Sequence, residues 1–273
     1  MARLSGARYG RAAVWLAAGA YFLVPLACAV AFSVEDPRKG VDFEAYTGMF
    51  GADGFTGSLV LTVKVGAATV ALVLVLLLPA LITVRLTAPR LRTLVELVCL
   101  LPLVVPAMAL VAGISAVLRW GPDHFAGTPL FDAFVGLQNP DFPGVLVLAY
   151  TLMALPLAYR TLDAGLAAID LRVLVEAARA CRASWPRTLV HVVLPNLRGA
   201  LLNTAFLTLA LVFGEYTVAA ILGYQPFAVW IVVISGSQAQ MSVAASMIGL
   251  LVTWVLLLVL AATGRARRTK ETS

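Results

Sequence analysis

Residues 58–82 read SLVLTVKVGAATVALVLVLLLPALI, an apolar run interrupted by a single charged side chain, Lys64. The run exceeds the ~20 residues a helix needs to cross the hydrocarbon core of a bilayer. Five further runs of similar character lie at 12–34, 94–118, 144–162, 201–222 and 241–263, the one at 144–162 being the shortest. Residues 227–234 are apolar but too few to cross, so they fit a re-entrant or interfacial segment. Composition agrees: 61% of residues are hydrophobic and 12% charged, against roughly 45–50% and about 25% in a soluble domain. A chain of this size cannot hide that much apolar surface, so lipid must cover part of it. The expected fold is an all-α membrane protein with six transmembrane helices.

Direction follows from where the basic residues fall. Arg3, Arg8 and Arg11 precede the first run; Arg85, Arg90 and Arg92 follow the second; Arg160 ends the fourth, and Arg172, Arg179, Arg182, Arg187 and Arg198 follow it; Arg265, Arg267, Arg268 and Lys270 follow the last. The alternating connections are poor in basic residues, and the first two are acidic, with Glu35, Asp36, Asp42, Glu44 and Asp53, then Asp123, Asp132 and Asp141. The positive-inside rule places both termini in the cytoplasm. The chain then divides into a tail at 1–11, a first span at 12–34, an extracytoplasmic loop at 35–57, a five-span block at 58–263 and a basic tail at 264–273. The first run is too long for the apolar core of a signal peptide and is read as a retained span. The net charge of +6 is spread between spans and does not form one continuous face, which argues against nucleic acid and for a plasma-membrane protein.

Little in the chain suggests catalysis. Cys28, Cys99 and Cys181 are not placed to pair, and His124 and His191 sit in separate polar segments, leaving no metal or triad set. There is no HExxH, no DxxDG and no GxxxxGK followed by Ser or Thr, so no P-loop site for ATP. A membrane-embedded transferase would need such clustered groups. Proline recurs inside the spans at Pro25, Pro79, Pro102, Pro106 and Pro156, where it tends to kink helices.

The connection between the fourth and fifth runs is the most informative. Asp170 can cap a helix in which Leu171, Leu174, Ala178, Cys181 and Trp185 recur on one face, while Arg172, Glu176, Arg179 and Arg182 fall largely on the other. Ser184 is placed to cap a second short helix with Pro186 in its first turn, and Pro195 interrupts that piece before the fifth span. The pattern alone leaves a membrane-surface helix and a protein-docking helix equally open, and Glu176 can pair with Arg172 or Arg179.

The wording of that segment goes further. Glu176-Ala177-Ala178-Arg179, then Ala183-Ser184, Val192 and Leu194-Pro195 resemble the EAA loop of ABC importer permeases, with the spacing from Glu176 to Pro195 ungapped. Similarity extends over roughly 55–264, including Ser58-Leu59 and Leu155-Pro156. The resemblance implies a coupling helix at about 170–195 that seats in a groove of a cytosolic ATPase. It further implies two ABC ATPase subunits that hydrolyse the ATP, a second identical or homologous permease, an extracytoplasmic solute-binding protein, and no cofactor in this chain. Arg182 stands where that family usually has Gly, and Cys181 where Leu is common. If the glycine serves a positive φ, arginine there costs on the order of 1–2 kcal/mol; if it serves close approach, a long side chain holds the ATPase away unless an acidic residue there receives it. A scaffold protein without a pathway has no use for such a loop.

Charges within the runs are few. Lys64 can snorkel toward the outer interface, and Glu96 begins the third run beside Arg92. Glu215 lies mid-run in Phe213-Gly214-Glu215-Tyr216-Thr217, where a central charge costs at least ~2.5 kcal/mol and must face protein or water. Glu215 and Tyr216, with Lys64, are therefore candidates for a pathway or gate, the alternative being a buried contact of Glu215 with Lys64 or a partner. The Gly214-Glu215-Tyr216 stretch resembles the polyamine-type branch of the family, which implies a cation such as putrescine or spermidine. Thiamine, ferric iron, phosphonate, sulfate and sugar relatives are the alternatives.

Overall fold

The computed structural model describes residues 3–36 and 40–268. Lys270, used above to assign direction, lies outside them, as do the side chains of Arg3, Arg8, Arg11, Arg265, Arg267 and Arg268. Along the chain, α1 (Arg3–Val34) runs into two paired strands, β1 (Glu35–Asp36) and β2 (Gly40–Val41), with Glu35 opposite Val41. Next come α2 (Glu44–Gly48), α3 (Phe55–Leu86), α4 (Arg92–Leu100), α5 (Ala107–His124), α6 (Pro129–Leu137) and α7 (Gly144–Ala167). After α7 the chain forms α8 (Leu171–Ala180), α9 (Trp185–Thr188), a π turn at Leu189–Val193, α10 (Leu194–Gly214), α11 (Thr217–Ile221), α12 (Phe227–Ser235) and α13 (Ala239–Arg268).

Among the described residues, Ala13–Val34, Phe55–Leu86, Gly144–Ala167 and Trp185–Gly214 are each long and apolar enough to cross a membrane. The pair Pro89–Leu103 and Ala107–His124 adds a fifth if it counts as one crossing. The sixth expected span, 241–263, falls on α13, several of whose side chains after Val255 lie outside the described residues. α12, at 9 residues, is too short to cross, as its sequence implies.

Two expected spans differ in form. Residues 94–118 are not one straight helix: the chain bends by 101° between α4 and α5. Pro102 lies in a 3-10 turn at Leu101–Leu103, and Pro106 is the extended residue that starts α5, with φ −60° and ψ 144°. Two prolines four residues apart delete two amide donors in one turn and set rings against the preceding carbonyls, more than one turn can absorb. Pro25, Pro79 and Pro156 act singly, and each stays inside its helix. The fifth expected span, 201–222, is also shifted. Its helix starts at Trp185, passes Pro195 without interruption and ends at Gly214. The π turn explains the passage: the Leu194 amide donates to the Leu189 carbonyl, five residues back, and this wider turn relieves the proline that follows.

The described residues pack as two units, one within 1–56 and 230–252, the other within 57–229 and 253–268. In the first, Trp230 Nε1 donates to the Asp53 carbonyl at 2.9 Å, its ring meets Phe55 edge-on at 5.3 Å, and Gln240 Nε2 donates to the Glu35 carbonyl at 2.7 Å. Gly54 (φ +79°) makes the turn below Trp230, and a Cβ there would come within 3.3 Å of the indole, so both the conformation and the space favour glycine. α1 turns Trp15, Tyr21, Phe22 and Leu23 outward, as suits a helix surrounded by lipid.

In the second unit α7 is the spine: Leu146, Ala149, Tyr150, Leu162 and Leu166 are fully buried. One apolar cluster gathers Leu81, Leu162, Leu166 and Leu197 with Leu171 and Val175 of α8; the other gathers Val65, Leu146, Tyr150, Val212 and Val218. α7 and α10 pack tightly where Gly165 meets Ala200.

Candidate functional site

α8 is a built rod. Asp170 starts it, accepting a hydrogen bond from the Val173 amide at 3.3 Å. Its buried side is Leu171 and Val175, with Leu174 and Ala178 half-buried. Val175 had not been placed on that face. Cys181 and Trp185, which had, are exposed, because the helix ends at Ala180 and the phase is lost beyond it. The opposite side leaves Arg172, Glu176, Ala177 and Arg179 exposed. Glu176 has no ion-pair partner among the described residues, so the pairing with Arg172 or Arg179 does not form.

The end of α8 explains the Arg182 position. Arg182 has φ +58°, the only positive φ at a non-glycine residue among those described. Its amide donates to the Arg179 carbonyl at 2.9 Å, and the Ala183 amide donates to the Ala178 carbonyl at 3.1 Å. Those two bonds are a Schellman closure, in which the residue after the cap adopts the left-handed conformation that glycine takes most easily. A left-handed L-residue costs on the order of 1–2 kcal/mol, and glycine returns about 0.5–1 of that through its extra freedom when unfolded. Arg182→Gly is therefore expected to stabilise the protein by roughly 0.5–1 kcal/mol. A thermal midpoint in detergent that stays level or falls would refute the strain. Past the closure, Ser184 sits extended at the start of α9 but makes no side-chain cap, and Pro186 occupies the first turn. Ala183 and Leu194 are half-buried, while Ser184 and Pro195 are exposed.

The second candidate cluster is not assembled. Lys64 is exposed and makes no ion pair with Glu215 among the described residues. Glu215, 8% exposed, turns its carboxylate back on its own chain, accepting from the Val218 amide at 2.9 Å and the Ala219 amide at 3.4 Å. It caps α11, and the unpaired amides at a helix start favour a negative charge there. The Tyr150 hydroxyl lies beside that carboxylate. Tyr216 is 41% exposed at the break itself. The mid-span charge is thus accounted for by the helix break that the apolar pattern concealed.

Sequence reading missed a third group. Arg85 at the end of α3 and Arg92 at the start of α4 both reach Asp163 on α7. Arg85 Nη2 donates to the Asp163 carboxylate and, at 2.7 Å, to its carbonyl; Arg92 Nη2 lies 3.3 Å from the other carboxylate oxygen. The signal was a lone acid near the end of an apolar run, opposite two arginines.

Membrane-length helices carrying one capped, half-exposed rod at their end have the architecture of a helical membrane permease. Residues 76–266 match the model of the binding-protein-dependent transport system inner membrane component, and the chain belongs to that family. It is a transporter component and not an enzyme. Two solved structures share the fold. One is a bacterial alginate ABC transporter in complex with an alginate pentasaccharide-bound periplasmic protein (TM-score 0.72, 14% identity, 97% of this chain and 96% of that one). The other is a bacterial ABC transporter involved in the import of the acidic polysaccharide alginate (TM-score 0.67, 13% identity, 97% and 96%). No curated protein sequence matches the chain.

Proposed function

We propose that this chain is the permease subunit of an ATP-driven importer, forming half of a solute pathway with a second permease. The observation that carries this reading is α8: one side is fixed in the core by Leu171 and Val175, and the other offers Glu176, Ala177 and Arg179 to a partner. A rod held at both ends by a cap and a Schellman closure is preorganised, so binding it costs a partner little ordering entropy. On this reading Glu176, Ala177, Ala178, Arg179, Arg182, Ala183, Ser184, Leu194 and Pro195 form the coupling segment for two cytosolic ABC ATPase subunits. Both termini then lie in the cytoplasm, as the arginine distribution supports, and the five-span block at 58–263 is the transport domain. A solute-binding protein on the outer side is in keeping with the family description and with the periplasmic protein in the first alginate structure. ATP binding would move α8, and the pathway would alternate between outward-open and inward-open.

The solute favoured by the acidic outer connections is a small polyamine-like cation. Glu215 adds nothing to that preference, since its carboxylate is committed to backbone amides; its place is at a hinge or gate, with Tyr216. The test is reconstitution with the cognate ATPase, second permease and binding protein in proteoliposomes, followed by uptake of labelled spermidine, putrescine and an alginate oligosaccharide. ATP-dependent accumulation supports the importer reading, and preference for the oligosaccharide overturns the cation. Absence of ATP-dependent uptake of any solute the binding protein holds, from an assembled complex, overturns the whole.

A further inference from the structure

The Arg85–Asp163–Arg92 group lies at the end of the second unit from which α8 departs: Asp163 sits one turn before α7 ends at Ala167, and α8 begins at Leu171. Asp163 and Arg85 are 20% and 23% exposed, Arg92 59%. Arg85 Nε is buried without a partner, so if the carboxylate is lost that guanidinium keeps the Asp163 carbonyl as an acceptor but has no counter-charge from Asp163. Tyr159, one turn earlier on α7 and 4% exposed, lies beside Arg92 and Glu96. Beneath the charges, Leu81 and Ile82 of α3, Cys99 of α4, Leu162 and Leu166 of α7 and Leu171 and Val175 of α8 form one apolar cluster. α4 is 9 residues long and is cut from α5 by the 101° bend, so its own backbone does not oblige it to follow any neighbour.

We infer that Asp163 is a positioning residue that ties α4 and the end of α3 to the stem of α8, so that displacement of α8 reaches the bent α4–α5 pair. This rests on the importer reading. A carboxylate bound by two arginines from two elements resists their separation, because parting them leaves a half-buried guanidinium without its counter-charge. Apolar contacts alone let packed helices slide; the charge pairs fix the register.

The test uses the assembled transporter in proteoliposomes and reads solute moved per ATP hydrolysed. Asp163→Asn should lower that ratio on the order of tenfold, the size of ordinary coupling effects, with ATP hydrolysis continuing, and Asp163→Glu should restore much of it. Arg92→Gln removes an exposed partner and leaves no buried charge, so it should assemble normally and also lower the ratio. An Asp163→Asn transporter that keeps the wild-type ratio, or an assembled Arg92→Gln transporter that does so, overturns the inference. Wild-type uptake in the same vesicles reports on the importer reading separately; if the wild type itself shows none, both fall.

Discussion

Replacing Glu176 with lysine and Ala177 with aspartate is expected to abolish ATP-driven uptake while the protein still inserts and assembles with its partner permease. Both positions are exposed on α8, so the exchange has little bearing on folding, where surface changes are usually within about 0.5 kcal/mol. Its effect falls on whatever sits against the rod. Lysine reverses the charge a partner groove must accommodate, and aspartate puts a charged branched side chain where a methyl group allowed close approach. Like charges brought together at an interface cost several kcal/mol, and ~3 kcal/mol is already more than a hundredfold in affinity. Co-purification of the ATPase and uptake in vesicles should both fall to background. Normal uptake would remove α8 from the coupling role.

The second large effect is structural and lies at the base of the same rod. A Cβ at Gly165 would sit well inside the van der Waals radius of the Ala200 methyl carbon. The obstacle is a short side chain rooted on a helix, not the mobile end of a long one, so α7 and α10 must separate for Gly165→Ala to fit. Overpacking of this kind costs typically about 1–3 kcal/mol, and small residues at helix crossings are what allow backbones to approach within a membrane. Gly165→Ala should lower the thermal midpoint in detergent, and adding Ala200→Gly should restore most of it. Failure of the second change to rescue the first would show that the crossing is not what glycine is needed for.

How much of this was legible beforehand varied with the physics involved. The membrane character of α3 and α7 and the helix start at Asp170 could be read because each rests on a local property: apolar length or a capping side chain. A left-handed turn at Arg182 was one of two stated alternatives, and φ +58° is the conformation that alternative requires. What could not be read depended on neighbours in sequence acting together or on distant partners. Pro102 and Pro106 look no different from Pro79 or Pro156 taken singly; their spacing makes the bend. Glu215 looked like a charge awaiting a counter-charge, whereas it faces amides freed by a break that apolar content does not reveal. The Asp163 group joins α3, α4 and α7 across long stretches of chain, and no periodicity encodes it.

The π turn before Pro195 has a mechanical corollary. Because Leu189–Val193 widens instead of breaking, Trp185 and Gly214 stand at the two ends of one hydrogen-bonded column of 30 residues. A displacement at Trp185 therefore has a continuous helical route to Gly214. The ladder stops at Gly214, so on the importer reading a displacement begun beside the rod would meet its first break at Glu215, before α11.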